Sequence, residues 1–356
     1  MNNFKEYDQV ADSLFEFADN VQIQNEDLQG EDLTFFKDAF LRFKKNKASV
    51  LASFILLIII VLAVTAPFIG AYHNKVQEYD GTPEANLIGS YQDLNYKLLK
   101  PRIPFLETIG LFTGGDTYDN VSGDLGAGED IHFIFGTDDQ GRDLYVRTMV
   151  GAIISILFGL LAAFIDLVIG VSLGAISGYY GGKIDMILQR IVEVIGSIPT
   201  LIWVILIIVA MGPGFIPLVL AITISGWIPM YRIVRAQMLK IKNQEYILGA
   251  ITIGQNDKKI IFKHILPNVM GVIIIWIMFT IPSAIFFESF LSFLGLGISS
   301  PIPSLGSLAA TGKDFLNSNP YVLFAPALTL SLIMLSFNLI ADGLRDALDP
   351  KMRGGK

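Results

Sequence analysis

The chain has no cysteine in its 356 residues and only three histidines, His73, His132 and His264, which lie far apart. The absence of cysteine excludes disulfide bonds, thiolate metal ligands and a lipid anchor on cysteine. So few histidines give no metal-binding spacing and no Ser-His-acid catalytic set. The sequence therefore predicts no metal site and no catalytic residue, and the chain is not expected to be an enzyme.

A nucleotide-binding loop is also missing. The nearest candidate, residues 306–314, has the glycines and lysine of a phosphate-binding loop, but the spacing is one residue too long. Asp314 also stands where a serine or threonine would bind Mg²⁺. We therefore expect no cofactor in this chain, and a pump built from it would need a second chain as its energy source.

Charged residues are scarce, at 17% of the chain, whereas 52% are hydrophobic. Soluble domains carry about a quarter charged residues, so the composition indicates an integral membrane protein. A crossing helix needs about 20 mostly apolar residues. Six segments qualify: 48–72, 150–178, 186–211, 215–235, 267–290 and 321–342. The fold class predicted is an all-α integral membrane protein with six transmembrane helices, the third bent near Ser197 and Pro199.

The placement of basic residues predicts the orientation. If the N-terminus is cytosolic, nineteen of the 26 lysines and arginines lie on the cytosolic side and seven on the outer side. Cytosolic loops carry an excess of positive charge. We therefore expect a multi-pass protein of the cell membrane with both termini in the cytosol.

The segments outside the spans differ in character. Residues 1–33 form an acidic cytosolic tail, and 34–47 predict an amphipathic helix in the membrane interface. Residues 73–147, between helices 1 and 2, are too long for a turn and predict an extracellular subdomain for substrate capture, partner docking or shielding of the pore mouth. Residues 148–342 make a five-helix core that includes a cytosolic loop at 237–266, and 343–356 form a cytosolic tail.

Two acidic residues lie inside predicted spans. Asp166 is within the second, and Glu288 lies toward the outer end of the fifth, close to Ser289 and Ser292. Ionisable groups in lipid are costly and usually face a partner or water. Packing and a wet substrate path are both open for Asp166 and Glu288, and the two serines belong to the same candidate path.

The polar stretch at 237–268 separates two apolar spans and is long enough to fold. It predicts a short helix over 243–253, a stop at Gly254, and a second short helix from Asn256 or Asp257 to Leu266, before Pro267 in the first turn of the next membrane helix. On the first helix an apolar surface lies beside small residues: Ile247, Leu248 and Ile251 beside Gly249 and Ala250. Such a surface suits docking of a partner; a loop lying on the lipid headgroups is the alternative.

This loop resembles the cytosolic docking motif of importer-type ABC permeases. The family pattern is Glu-Ala-Ala, three residues, Gly, nine residues, a hydrophobic residue, one residue and Leu-Pro. Here it falls on Leu248-Gly249-Ala250, Gly254, His264 and Leu266-Pro267. Leu248 replaces the family's acid and Gly249 its first alanine, but the spacing is kept.

Four further segments carry the resemblance over about residues 35–351: 135–143 (FGTDDQGRD), 178–182 (GYYGG), 288–297 (ESFLSFLGLG) and 338–350 (NLIADGLRDALDP). Their order is similar to that of the C-type permease subunit of oligopeptide and dipeptide importers. The resemblance implies the importer-type ABC permease fold.

The resemblance also implies partners. These are a second homologous permease subunit, two cytosolic ATPase subunits that bind ATP and Mg, an extracellular peptide-binding protein, a peptide substrate and membrane lipid, with no nucleic acid. The residues implied to couple the ATPases to the pore are Glu245, Ile247, Leu248, Gly249, Ala250, Ile251, Gly254, Leu266 and Pro267.

The alternative function is a stand-alone secondary carrier or channel, in which Asp166 and Glu288 would couple transport to an ion. Such carriers are often built from inverted repeats with two broken helices. The sequence shows one proline-bent span and no second half that echoes the first.

Overall fold

The computed structural model describes residues 35–70, 92, 94–103, 132–298 and 300–348. Within these ranges the regular elements are helical, apart from an isolated bridge between Thr137 and Asp143, so the predicted all-α class is confirmed. A 3₁₀ turn lies at Leu94–Tyr96. The helices are α1 Phe35–Lys45, α2 Lys47–Ile69, α3 Leu144–Tyr180, α4 Gly182–Gly196, α5 Thr200–Met211, α6 Phe215–Gly226, α7 Ile228–Lys242, α8 Glu245–Thr252, α9 Asp257–Phe293, α10 Leu305–Asp314 and α11 Tyr321–Leu348.

Five spans in the described part of the chain are long and apolar enough to cross a membrane: α2, α3, α6 with α7, α9 and α11. The predicted third span is instead two helices, α4 and α5, bent by 76° at the break between them. The break falls on Ser197, Ile198 and Pro199, which confirms the predicted bend. With only 12 residues, α5 is too short to cross alone, so a sixth crossing would require α4 and α5 together.

Helix α3 is the central element, and glycines bring its neighbours close to it. A Cβ on Gly170, Gly174 or Gly178 would lie 2.5–2.8 Å from the nearest atoms of α7. These glycines are four residues apart and therefore share one face of α3. A Cβ on Gly159 would lie 2.6 Å from Ile285 of α9. Small residues thus allow a close approach of α7 and α9 to α3.

The predicted extracellular subdomain lies largely outside the described residues, but its two described parts are joined. Arg102 N donates to Phe133 O at 2.9 Å, and Thr137 N donates to Leu99 O at 3.0 Å. The turn that follows is organised by Asp138, whose carboxylate accepts from Arg142 N and Nε at 3.0 and 2.6 Å. This turn leads directly into α3.

The predicted tails fall mostly outside the described residues. Residues 1–33 lie there entirely, as does the C-terminal tail from 349 onward; α11 continues six residues past its predicted end, to Leu348. Helix α1 lies inside the segment predicted as interfacial. Asn46 then caps α2 by accepting from Ser49 N at 3.3 Å, and the Ser49 hydroxyl donates to Leu339 O of α11 at 2.7 Å.

Candidate functional site

Helix α8 stands between two membrane helices, and its buried face fixes it to α9. Ile247 is fully buried and Ala250 nearly so, and both belong to a cluster with Ile260, Ile261 and Ile265. Ile247 was expected on the docking surface, but its side chain points into this cluster instead. A helix of eight residues buries a single stripe of side chains, and here that stripe packs against α9.

The opposite face of α8 is open. Leu248 is 48% exposed and Ile251 is 42% exposed. Gly249 lies between them, and a Cβ there would meet nothing within 4 Å. Glu245 is exposed at the start of the helix. Tyr246 and Ile253 also expose large apolar side chains, and sequence reasoning did not single them out although they flank the motif residues.

Gly254 ends α8, as predicted. Its φ is +74°, a left-handed conformation that glycine adopts without strain. Gly254 N donates to Ile251 O at 2.9 Å, and Gln255 N donates to Ala250 O at 3.1 Å. These two bonds form a Schellman motif, which satisfies the last carbonyls of the helix.

The prediction of a second, separate short helix is wrong. Asn256 caps a helix start by accepting from Lys258 N at 2.9 Å, but the helix then runs without a break into the membrane as α9. Residues Ile260–Ile265 are π-helical. Leu266 and Pro267 therefore lie within α9, where Leu266 begins the main α-helical segment and Pro267, in its first turn, needs no N–H partner.

Polar contacts fasten this region to α3 and α4. The Tyr179 hydroxyl donates to Asp257 Oδ1 at 2.8 Å, and the Lys242 ammonium donates to Tyr179 O. Arg235 of α7 donates to both carboxylate oxygens of Asp185 in α4. Sequence reasoning missed Asp185 and Arg235, although Tyr179 lies in the 178–182 motif that it singled out.

Asp166 borders a cavity, whereas Glu288 does not. The cavity has a volume of about 400 Å³ and is lined by α3, α5, α6, α7 and α9. The Asp166 side chain is 5% exposed, and Oδ1 has no hydrogen-bond partner in the described part of the chain. This carboxylate is therefore available to a ligand or to water.

Glu288 is fully buried and hydrogen-bonded. Its carboxylate accepts from Ser155 at 3.1 Å, Ser289 at 3.3 Å and Ser292 at 2.7 Å. The Ser155 hydroxyl also accepts from Leu305 N at 3.3 Å, which ties α10 to the same cluster. The structure thus separates Glu288, Ser289 and Ser292 from Asp166: the three hold α3, α9 and α10 together and do not line its cavity.

The glycines of the apparent phosphate loop lie inside helix α10. A Cβ on Gly306 would lie 2.4 Å from the Ser289 backbone, and one on Gly312 would lie 2.6 Å from the Leu323 backbone. These residues are helical packing positions and do not form a loop. In the part of the chain that the structure describes, no group of three His, Cys, Asp or Glu side chains could hold a metal ion.

Comparison with known families matches two regions of the chain. Residues 170–354 match the family described as "Binding-protein-dependent transport system inner membrane component". Residues 34–101 match the "N-terminal TM domain of oligopeptide transport permease C". The first match contains α4 to α11, and the second contains α1 and α2.

Individual relatives match nearly the full length. The chain is 40% identical to the oligopeptide transport system permease protein OppC of Bacillus subtilis over 97% of this chain and 99% of that protein. It is 41% identical to the dipeptide transport system permease protein DppC of the same organism, over 98% and 96%. Haemophilus influenzae OppC is 38% identical, over 95% and 96%.

Among solved structures, the MetNI methionine ABC transporter in inward-facing conformations gives a TM-score of 0.48 at 19% identity, covering 58% of this chain and 96% of that one. The family assignment rests on the full-length relatives and on the two matched regions. The chain therefore belongs to the binding-protein-dependent inner membrane transport components, in the branch that carries the N-terminal domain of oligopeptide transport permease C.

Proposed function

We propose that this chain is a pore-forming permease subunit of an ATP-driven oligopeptide importer and that α8 is the element on which a cytosolic ATPase docks. The observation that carries the docking site is a helix with one face anchored on α9 and the other face open and apolar. An exposed apolar patch rimmed by polar residues is typical of a partner surface. Relatives along the whole chain are oligopeptide and dipeptide permeases, which supports the transport function.

Coupling then works through differential contact. When ATP draws the two ATPases together, the pocket that holds α8 moves, and α8 moves with it because Ile247 ties it to α9. The pore responds because its inward-open and outward-open states present α8 differently to the ATPase. A nucleotide can shift this equilibrium only by the difference in its effect on the two states.

The remaining partners follow from this role. ATP and Mg are bound by the ATPase subunits and not by this chain, a second homologous permease completes the pore, and an extracellular binding protein delivers the peptide. Both termini lie in the cytosol, on the same side as α8. The basic residues around α8 agree with that side: Lys240, Lys242, Lys258, Lys259 and Lys263.

A stand-alone carrier is less well supported. Within the described residues one pair of helices forms a bent span, whereas inverted-repeat carriers use two broken helices. Such a carrier would use Asp166 and Glu288. The Glu288 carboxylate already accepts hydrogen bonds from three serine hydroxyls.

Docking can be tested at Gly249. This residue is exposed and has open space around its Cβ position, so a side chain there changes the surface of α8 without disturbing the fold. Gly249→Glu adds a charge that must be desolvated when the ATPase binds, and we expect the ATPases to be lost when the permease is purified. Gly249→Ala is the control and should keep them. Retention of ATPases by Gly249→Glu, or transport by the purified chain alone on an ion gradient, would contradict the proposal.

A further inference from the structure

The Asp166 cavity has the properties of a built binding site. Asp166 is nine-tenths buried, borders the cavity and has neither a hydrogen bond nor an ion pair in the described part of the chain. Gly226 keeps the carboxylate open, since a Cβ there would lie 2.6 Å from Asp166 Oδ2. An isolated carboxylate in an apolar site is costly, so a cation that enters the cavity is stabilised by it.

Most of the hydroxyl groups that line the cavity already donate within the protein and remain able to accept a hydrogen bond. Four hydroxyl side chains line the cavity: Thr200, Ser225, Thr280 and Ser283. Thr280 donates to Trp276 O at 3.1 Å, Ser283 donates to Phe279 O at 2.8 Å, and Thr200 and Ser225 share one hydrogen bond at 3.0 Å. A hydroxyl that has donated its proton still accepts. Three of the four hydroxyl protons are therefore already donated, and these hydroxyls favour a ligand that donates.

Aromatic rings complete the lining, and no lysine, arginine or histidine is among the lining residues. The rings are those of Trp276, Phe279 and Phe287. The faces of such rings attract cations. A carboxylate, acceptor hydroxyls and aromatic faces together match a primary ammonium, which has three donors and no acceptor.

The cavity lies at the depth of the membrane. Asp166 is 14 residues, or about 21 Å, from the end of α3 at Tyr180, and 22 residues, or about 33 Å, from its start at Leu144. A carboxylate and four hydroxyls at this depth would be costly against lipid tails, so this face borders a wet path or a protein neighbour. Its volume of about 400 Å³ is in the range of small-ligand sites.

We propose that this cavity binds a primary ammonium group of the transported peptide on its way through the pore, with Asp166 as the counter-ion. The inference rests on the proposed function. The ammonium has two sources, the N-terminus of the peptide and a lysine side chain, and one experiment separates them.

The first test measures ATP-driven uptake by the complete transporter in proteoliposomes, for wild type and Asp166→Asn. Three tripeptides are compared: a neutral peptide with a free N-terminus, its N-acetylated form, and an N-acetylated peptide containing lysine. The ratio of variant to wild-type uptake is taken for each peptide, which cancels any preference of the binding protein.

We expect the ratio to fall about tenfold for the peptide with a free N-terminus and to stay near one for the N-acetylated neutral peptide. If the ratio also falls for the lysine peptide, both kinds of ammonium group bind at the site. If the ratio stays near one for the lysine peptide, the site binds the N-terminus alone. Equal ratios for all three peptides would overturn the inference, whereas absence of ATP-driven uptake by wild type would overturn the proposed function.

The second test does not depend on uptake. The chain has no cysteine, so Ser283→Cys places its one thiol in the cavity. In the assembled transporter, a cationic thiosulfonate reagent should react about tenfold faster than an anionic one, and Asp166→Asn should bring the two rates together. Glu288→Gln is the matched control and should leave the preference intact. Equal rates in the presence of Asp166 would refute the site.

Discussion

Arg235 holds Asp185 with two parallel hydrogen bonds, Nε to Oδ1 at 2.5 Å and Nη2 to Oδ2 at 2.6 Å. The same carboxylate accepts from the Ser177 hydroxyl and from Gln189 Nε2. The pair joins α7, which leads into α8, to α4, the first half of the bent span. A shift of α8 of the kind proposed would therefore reach α4 through this charged contact as well as through the packing of Val192 against Ile228 and Tyr231.

Replacement of Arg235 by lysine should weaken this junction. Lysine keeps the charge but lacks the planar fork that matches a carboxylate, so we expect a loss of about 1–3 kcal/mol in stability. Thermal unfolding of the purified complex measures it. Arg190→Lys is the control, because its pair with Glu193 is 78% and 57% exposed and should change stability by less than about 1 kcal/mol. Equal effects of the two variants would argue against a special role for Arg235.

Gly254→Val should separate ATP hydrolysis from uptake. The backbone there has φ +74°, where a β-branched residue is strained by about 1–3 kcal/mol, although the space for its side chain is open. The strain falls on the Schellman motif that ends α8. Gly254→Asn is the control, because asparagine tolerates this conformation and should couple nearly normally. Uptake per ATP is the measurement, and normal uptake by Gly254→Val would refute the assignment.

Truncation of side chains to alanine should have different effects on the buried and exposed faces of α8. Ile247→Ala removes a fully buried side chain and should destabilise the contact between α8 and α9 by about 2–4 kcal/mol. Ile251→Ala removes an exposed side chain and should leave stability unchanged while it weakens ATPase binding. Thermal unfolding and copurification measure the two effects. Loss of ATPase without loss of stability in Ile247→Ala would place that residue on the docking face.

Glu288→Leu should destabilise the contact between α3, α9 and α10. The change removes the acceptor for three serine hydroxyls, and buried donors without partners cost about 1–3 kcal/mol each. Glu288→Gln keeps one acceptor and should be milder, with peptide preference unchanged. Thermal unfolding and uptake of cationic and anionic peptides check this. A change of peptide preference in Glu288→Gln at unchanged stability would return Glu288 to the substrate path.

The membrane spans and the positions where helices break or end are predictable because they depend on local chemistry. Apolar runs of about 20 residues mark membrane helices whatever their neighbours do. Pro199 breaks a helix because it lacks an N–H, and Gly254 ends one because it adopts positive φ freely. Each effect depends on one residue and can be predicted without knowledge of the fold. The boundaries are less certain, as at α9, which begins ten residues before its predicted start.

The rest depends on partners that are distant in the sequence. Asp166 and Glu288 are alike as buried acids, and only the fold gives one of them three serines and the other a cavity. Ile247 and Leu248 are equally apolar, and which of them is buried depends on where α9 packs. Arg235 and Asp185 are 50 residues apart. None of these relationships has a signature in the local pattern.

Because α9 is continuous, a rotation at one of its ends would displace the other end. Its 37 residues extend about 55 Å, from Asp257 beside α8 to Phe293, just beyond the serine cluster around Glu288. A rotation of about 5° about the end beside α8 would move the other end through about 5 Å. If α8 docks as proposed, a modest displacement beside α8 would be amplified along α9, and movement of its far end would need no change inside α9 itself.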